Sequence, residues 1–209
     1  MSDTAISPAA PEADEVHALR ADLYRLLARL LREAPDAELL AWLGDLEVED
    51  ETSPLAVAWR ELIEASRGAD PATLAREHFR HLVGVIQGDV TPYASWYRNG
   101  ELMDQALVAL RRDLNALGIQ RDDQSRDPED HLAALCEVMA LLIEARSPAE
   151  ARFFMMHLAP WAASCLQDLA GVESRFYSRL GRLGRAFIDT EEALLESEAA
   201  QEPVRLVET

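Results

Sequence analysis

The chain contains no lysine; all 20 of its basic residues are arginine. That removes the phosphate-gripping lysine of a P-loop, and no G-x-x-x-x-G-K-[ST] run occurs. Cysteine is almost absent as well. Cys136 and Cys165 lie far apart, each inside an apolar segment, and read as small core side chains that build neither a disulfide framework nor a zinc knuckle. Aromatics amount to 6% of the residues, and the glycines form neither a G-x-G-x-x-G turn nor a G-x-S-x-G elbow. No stretch approaches the ~18 uninterrupted apolar residues that a membrane helix needs. The first fifteen residues are polar, acidic and rich in Pro and Ala, without the apolar centre of a secretory signal, so a soluble cytoplasmic protein is expected.

What is present is acid, leucine and alanine. The net charge is -18 and 49% of residues are apolar, a share carried by Leu and Ala, which favour helix over sheet. So acidic a surface repels nucleic acid and anionic membranes and attracts basic peptides or basic protein faces. The same charge also serves solubility alone, so it names no partner by itself.

Apolar residues recur at three- and four-residue steps almost throughout. Val16 to Leu31 forms the first such stripe, and Leu39, Leu40, Trp42 and Leu43 a short second one. Ser53-Pro54 and Asp70-Pro71 read as two helix starts, each a capping side chain followed by proline at the first helical position. Gly84 to Thr91 reads as an exposed loop leading to the aromatic cluster Pro92-Tyr93-Ala94-Ser95-Trp96-Tyr97. Leu102, Ala106, Leu110, Leu114 and Leu117 define the next helix, which Gly118 closes. Beyond a polar run comes Asp127-Pro128-Glu129-Asp130-His131-Leu132, read as a helix start with Asp127 as N-cap, Pro128 opening the first turn and Glu129 and Asp130 on the positive end of the helix dipole. Ser147-Pro148 opens another helix, Pro160 interrupts it, and a final helix begins near Phe176. The expectation is an all-α, single-domain bundle of about seven to nine helices over residues 14–198, with a disordered tail over 1–13 and a flexible one over 199–209.

No catalytic constellation stands out. The nearest approach to a metal site is Glu77-His78-Phe79-Arg80-His81, whose histidines are three apart rather than the four of a zincin helix. We therefore expect no metal, no cofactor and no enzymatic activity. Asp130 and His131 keep two readings open: they cap and pack the helix start, or they form part of a binding site.

The segments Pro92 to Tyr97 and Asp127 to Leu132 together resemble the paired signatures of the TorD/DmsD/NarJ family. Phe79 to Gly84 is similar to the family's approach to the aromatic motif, and Phe153, His157 and Trp161 to its Phe…His…Trp helix. Ala94 stands where the family often carries Glu, and Asp127 replaces its leading Glu. The resemblance implies a TorD-like helical chaperone that binds the twin-arginine signal peptide, and the apo form, of a molybdopterin-containing oxidoreductase. Such chaperones hold the client back from export until its cofactor is inserted. A formate dehydrogenase or another dimethyl-sulfoxide-reductase-type enzyme is the expected client. Carried over by position, the signal-peptide-binding residues are Tyr93, Ser95, Trp96, Tyr97, Pro128, Glu129, Asp130 and His131. Asp130 and Glu129 would pair with guanidinium groups, the aromatics would wall a groove, and His131 would orient Asp130 or sense pH. Neither nucleic acid nor stable membrane insertion is expected, and the chain is read as a monomer or a helix-exchanged dimer hinged at Gly84 to Thr91 or Arg121 to Arg126. The alternative function is a helical regulatory domain that senses a small ligand or binds a partner without DNA.

Overall fold

The leucine stripes fold as helices in the computed structural model, which describes residues 13–49, 52–84, 88–120 and 127–201. In order these are α1 (Ala13–Arg32), α2 (Ala37–Asp45), α3 (Pro54–Ser66), α4 (Pro71–His78), α5 (Ala94–Asn99), α6 (Gln105–Ala116), α7 (Leu132–Glu144), α8 (Glu150–His157), α9 (Ala162–Ala170) and α10 (Arg175–Gln201). α4 continues into a single π turn, Phe79–Val83. Most of the expected N- and C-terminal tails, and the polar run Arg121 to Arg126 read as a hinge, lie outside the described residues. The all-α expectation matches the structure; ten helices, rather than seven to nine, are present among the described residues. The aromatic segment adds one by coiling into α5.

α7 occupies the middle of the fold. Nine of its thirteen residues are buried, among them Leu132, Leu135, Met139 and Ile143, so apolar side chains cover nearly its whole circumference. α1 runs along α7 with Tyr24, Leu27, Leu30 and Leu31 buried, Tyr24 meeting Phe187 of α10 edge-on at 4.7 Å, while α10 packs along α9 and α3. The α9–α10 crossing is close because Gly181 has no side chain. A Cβ there would lie 2.3 Å from the Ala170 nitrogen and 2.7 Å from the Leu166 carbonyl oxygen. A buried ion cluster ties three helices together: Arg20 of α1 donates to Glu191 of α10 at 2.6 and 2.8 Å and to Glu150 of α8 at 2.6 Å.

Ser53 and Asp70 cap α3 and α4 as read from the sequence, accepting from the Ala56 and Thr73 amides at 3.2 and 2.9 Å. Three local readings are corrected. α7 begins at Leu132, not at Pro128, because residues 127–130 turn first and His131, not Asp127, is its N-cap. Leu102 is not on α6, which starts at Gln105 behind Asp104 and leaves Leu102 on the preceding connector. The connector after Gly84 is not exposed throughout, since Val90 and Thr91 are buried.

Candidate functional site

The two signature segments meet. The Ala94 amide donates to the Asp130 carbonyl at 2.9 Å and the Leu132 amide to the Pro92 carbonyl at 2.8 Å, an isolated antiparallel pairing centred on Tyr93 and His131. Proline lacks an amide hydrogen, but its carbonyl accepts normally, so Pro92 fits one side of such a clip.

The clip places Asp130 at the start of α5. Its Oδ2 accepts from the Ser95 amide at 2.9 Å and from the Ser95 hydroxyl at 2.6 Å. Tyr93, the N-cap residue of α5, supplies no capping side chain, so Asp130 caps that helix from across the clip. Both Asp130 and Ser95 are 0% exposed. The second carboxylate oxygen, Oδ1, is buried without a hydrogen-bond partner. Leaving a buried carboxylate oxygen unpaired is costly, and with Asp130 0% exposed a donor from the cleft reaches it only when the side chains over it move aside.

His131 faces the other way. Its Nδ1 accepts from the Ala133 amide at 3.0 Å, which puts the ring proton on Nε2. The Tyr93 ring meets it edge-on at 4.9 Å. Burial pushes the His131 pKa down to about 4, the Asp127 charge opposing and Arg32 and His78 adding to the fall. The imidazole is therefore neutral at ordinary pH and spent on the helix cap; it neither senses neutral pH nor orients the Asp130 carboxylate. Tyr93 is half-buried, with its hydroxyl 3.5 Å from Asp127 Oδ1 and its pKa pushed up to about 12 by burial and by that carboxylate.

A cleft of about 280 Å³ opens beside the clip. Its floor and walls include Asp127, Pro128, Asp130, His131, Tyr93, His78 and Arg32, the last paired with Glu137 of α7, and its rim carries Val83, Leu102 and Met103. The rim side chains are large, apolar and exposed. The predicted residues thus divide. Tyr93, Pro128, Asp130 and His131 line the cleft. Ser95 is fully buried and holds Asp130 instead. Glu129 accepts two hydrogen bonds from Arg111 of α6, at 3.0 and 2.8 Å. Tyr97 turns toward α9, donating to Asp168 at 2.7 Å and lying over Trp161 at 5.7 Å, and Trp96 is exposed outside the cleft lining. Two cleft features escaped the sequence reading. Asp127 had been given to helix capping, and the Leu102–Met103 tip to α6; Asp104 ahead of Gln105 was the signal that α6 starts later.

The described helices thus frame a cleft that holds two carboxylates and one guanidinium beneath an apolar rim. The chain belongs to the nitrate reductase delta subunit family, whose model matches residues 48–167, and this is the TorD/DmsD/NarJ family to which the two motifs point. The chaperone protein TorD of Actinobacillus succinogenes is 30% identical over 104 residues, which cover 47% of this chain and 54% of that relative. The Tat proofreading chaperone DmsD of Salmonella typhi is 33% identical over 111 residues, 51% of this chain and 53% of the relative. The chain spans about half the length of the curated relatives it matches. These relatives are chaperones, not enzymes. A crystal structure from Archaeoglobus fulgidus, described as a redox enzyme maturation protein, shares the fold with a TM-score of 0.54 over 88% of this chain and 99% of that one, at 15% identity.

Proposed function

We propose that this protein is a maturation chaperone whose cleft receives the twin-arginine leader of a molybdopterin-containing oxidoreductase. It holds the client from export while the cofactor is inserted, and a formate dehydrogenase or a related dimethyl-sulfoxide-reductase-type enzyme is the client class. The observation that carries the reading is the Asp130 carboxylate, anchored by Ser95 through one oxygen and unpartnered at the other, on the wall of a cleft with an apolar rim. A guanidinium supplies the planar, charged N–H donors that such an oxygen lacks, and Asp127 adds a second carboxylate to the same cleft. The net charge of -18 speeds the encounter with a basic segment.

The test is isothermal titration of the full chain, at low and at physiological salt, with a synthetic leader carrying Arg-Arg ahead of an apolar stretch. The informative variant is Asp130→Asn, whose amide oxygen still accepts from Ser95 while its NH₂ meets the guanidinium donor to donor. Affinity should fall about tenfold or more, the scale of one charge-assisted hydrogen bond, with the melting temperature little changed. Equal affinity of the variant and the parent chain would refute this assignment of Asp130.

A further inference from the structure

The connector between α5 and α6 puts two large apolar side chains into water. Leu102 is 50% exposed and Met103 70%, and both line the cleft that contains Asp130. Met103 also adopts φ +61°, in the left-handed region that side-chain-bearing residues avoid. Glycine or asparagine would hold the same turn with less strain, and a methionine that is mostly in water contributes little to the core. Nothing in the packing of the bundle explains its presence there.

The connector is nonetheless held in place. The Met103 amide donates to the Ser95 hydroxyl at 3.2 Å, and that same hydroxyl donates to Asp130 Oδ2. Upstream, Gly100 closes α5 in the left-handed conformation with its amide 2.8 Å from the Trp96 carbonyl. Downstream, the Asn99 side-chain amide bonds the Asp104 carboxylate and fastens the two ends of the connector to each other. The apolar tip and the unpartnered carboxylate oxygen are thus set relative to one another through a single serine.

We propose that Leu102 and Met103 form the apolar subsite of the cleft. They grip apolar side chains adjacent to an arginine in the bound peptide, so that the protein recognises charge and apolar content in a fixed register. This rests on the reading of the cleft as a leader-binding site. Methionine suits the task because its unbranched thioether adapts to varied apolar partners. The occupant is a polypeptide segment with a guanidinium next to apolar side chains, because the cleft sets two carboxylates, Asp127 and Asp130, against one guanidinium, Arg32, that Glu137 already pairs, and adds an apolar rim.

The experiment uses the full chain and two synthetic peptides, titrated calorimetrically. One carries Arg-Arg followed by Leu- and Phe-rich residues; the other keeps Arg-Arg but has Ser and Gly in place of the apolar stretch. Met103→Gly removes the side chain and eases the backbone, so the variant should melt at or above the temperature of the parent chain. It should bind the apolar peptide about tenfold more weakly, and Leu102→Ser in the same direction, while affinity for the Ser/Gly peptide stays unchanged. Unchanged affinity of the variants for the apolar peptide, or equal losses for both peptides, would overturn the subsite and leave the leader-binding reading standing. Failure of the parent chain to bind either peptide would overturn both.

Discussion

Ser95→Ala tests the architecture of the site without touching its exposed parts. The substitution removes one hydroxyl that donates to Asp130 Oδ2 at 2.6 Å and accepts from the Met103 amide at 3.2 Å. The first bond is charge-assisted and lies between two residues that are 0% exposed, so its loss costs about 1.5–3 kcal/mol. The second involves a partly exposed amide that water can satisfy, and adds a few tenths of a kcal/mol at most. Alanine's better helix propensity at the second position of α5 returns about 0.5 kcal/mol. The net loss is about 2 kcal/mol, or roughly 4–8 °C in melting temperature for a chain of this size. Urea denaturation checks it through a lower midpoint at unchanged slope. A double-mutant cycle with Asp130→Ala, which removes the acceptor, separates the pair from its surroundings and should give a coupling of about 1 kcal/mol or more. Stability of the single variant within about 0.5 kcal/mol of the parent chain would show that Ser95 does not anchor Asp130 and would remove the support for a preset carboxylate.

Two further outcomes follow from the same geometry. His131 titrates at about 4 in the folded chain against an ordinary 6.5, so between these values the unfolded chain binds more protons. Stability should hold above pH 6.5 and fall by about 3 kcal/mol as the pH drops toward 4, and His131→Asn, which can still cap α7, should flatten that limb in pH-dependent urea titrations. A limb of unchanged steepness in the variant would assign the acid sensitivity to other groups. Gly181→Ala should cost about 1–3 kcal/mol because its methyl group would press into the backbone of α9 at Ala170 and Leu166, and a melting curve matching that of the parent chain would mean the two helices separate freely.

Much of the fold was legible because periodicity and capping are local. Ser53-Pro54 and Asp70-Pro71 announced α3 and α4 in two residues each, and the leucine steps of α1 and α7 marked faces that are buried. Asp127-Pro128 carried the same signal and misled. The stretch is held by pairing with Pro92 to Ala94, and that tertiary bond competes successfully with the local preference to start a helix. For the same reason the role of Ser95 could not be read from its neighbours; its partner Asp130 is thirty-five positions away. The two segments carry the family's motifs as a pair. Only the structure divides Tyr93, Pro128, Asp130 and His131, which line the cleft, from Tyr97 and Glu129, whose polar atoms are bound by Asp168 and Arg111.

The clip between Pro92–Ala94 and Asp130–Leu132 also sets when the site exists. It closes a long loop that includes α6, and α6 is itself fixed to α8 through the 3.0 Å contact of His157 with Asp113. Closure of that loop costs chain entropy that neither strand of the clip recovers alone. While the loop is open Asp130 has no Ser95 to hold it, Met103 has no acceptor for its amide, and the cleft lacks a wall. On the proposed function, competence to bind a client is then a property of the closed clip and of neither segment alone.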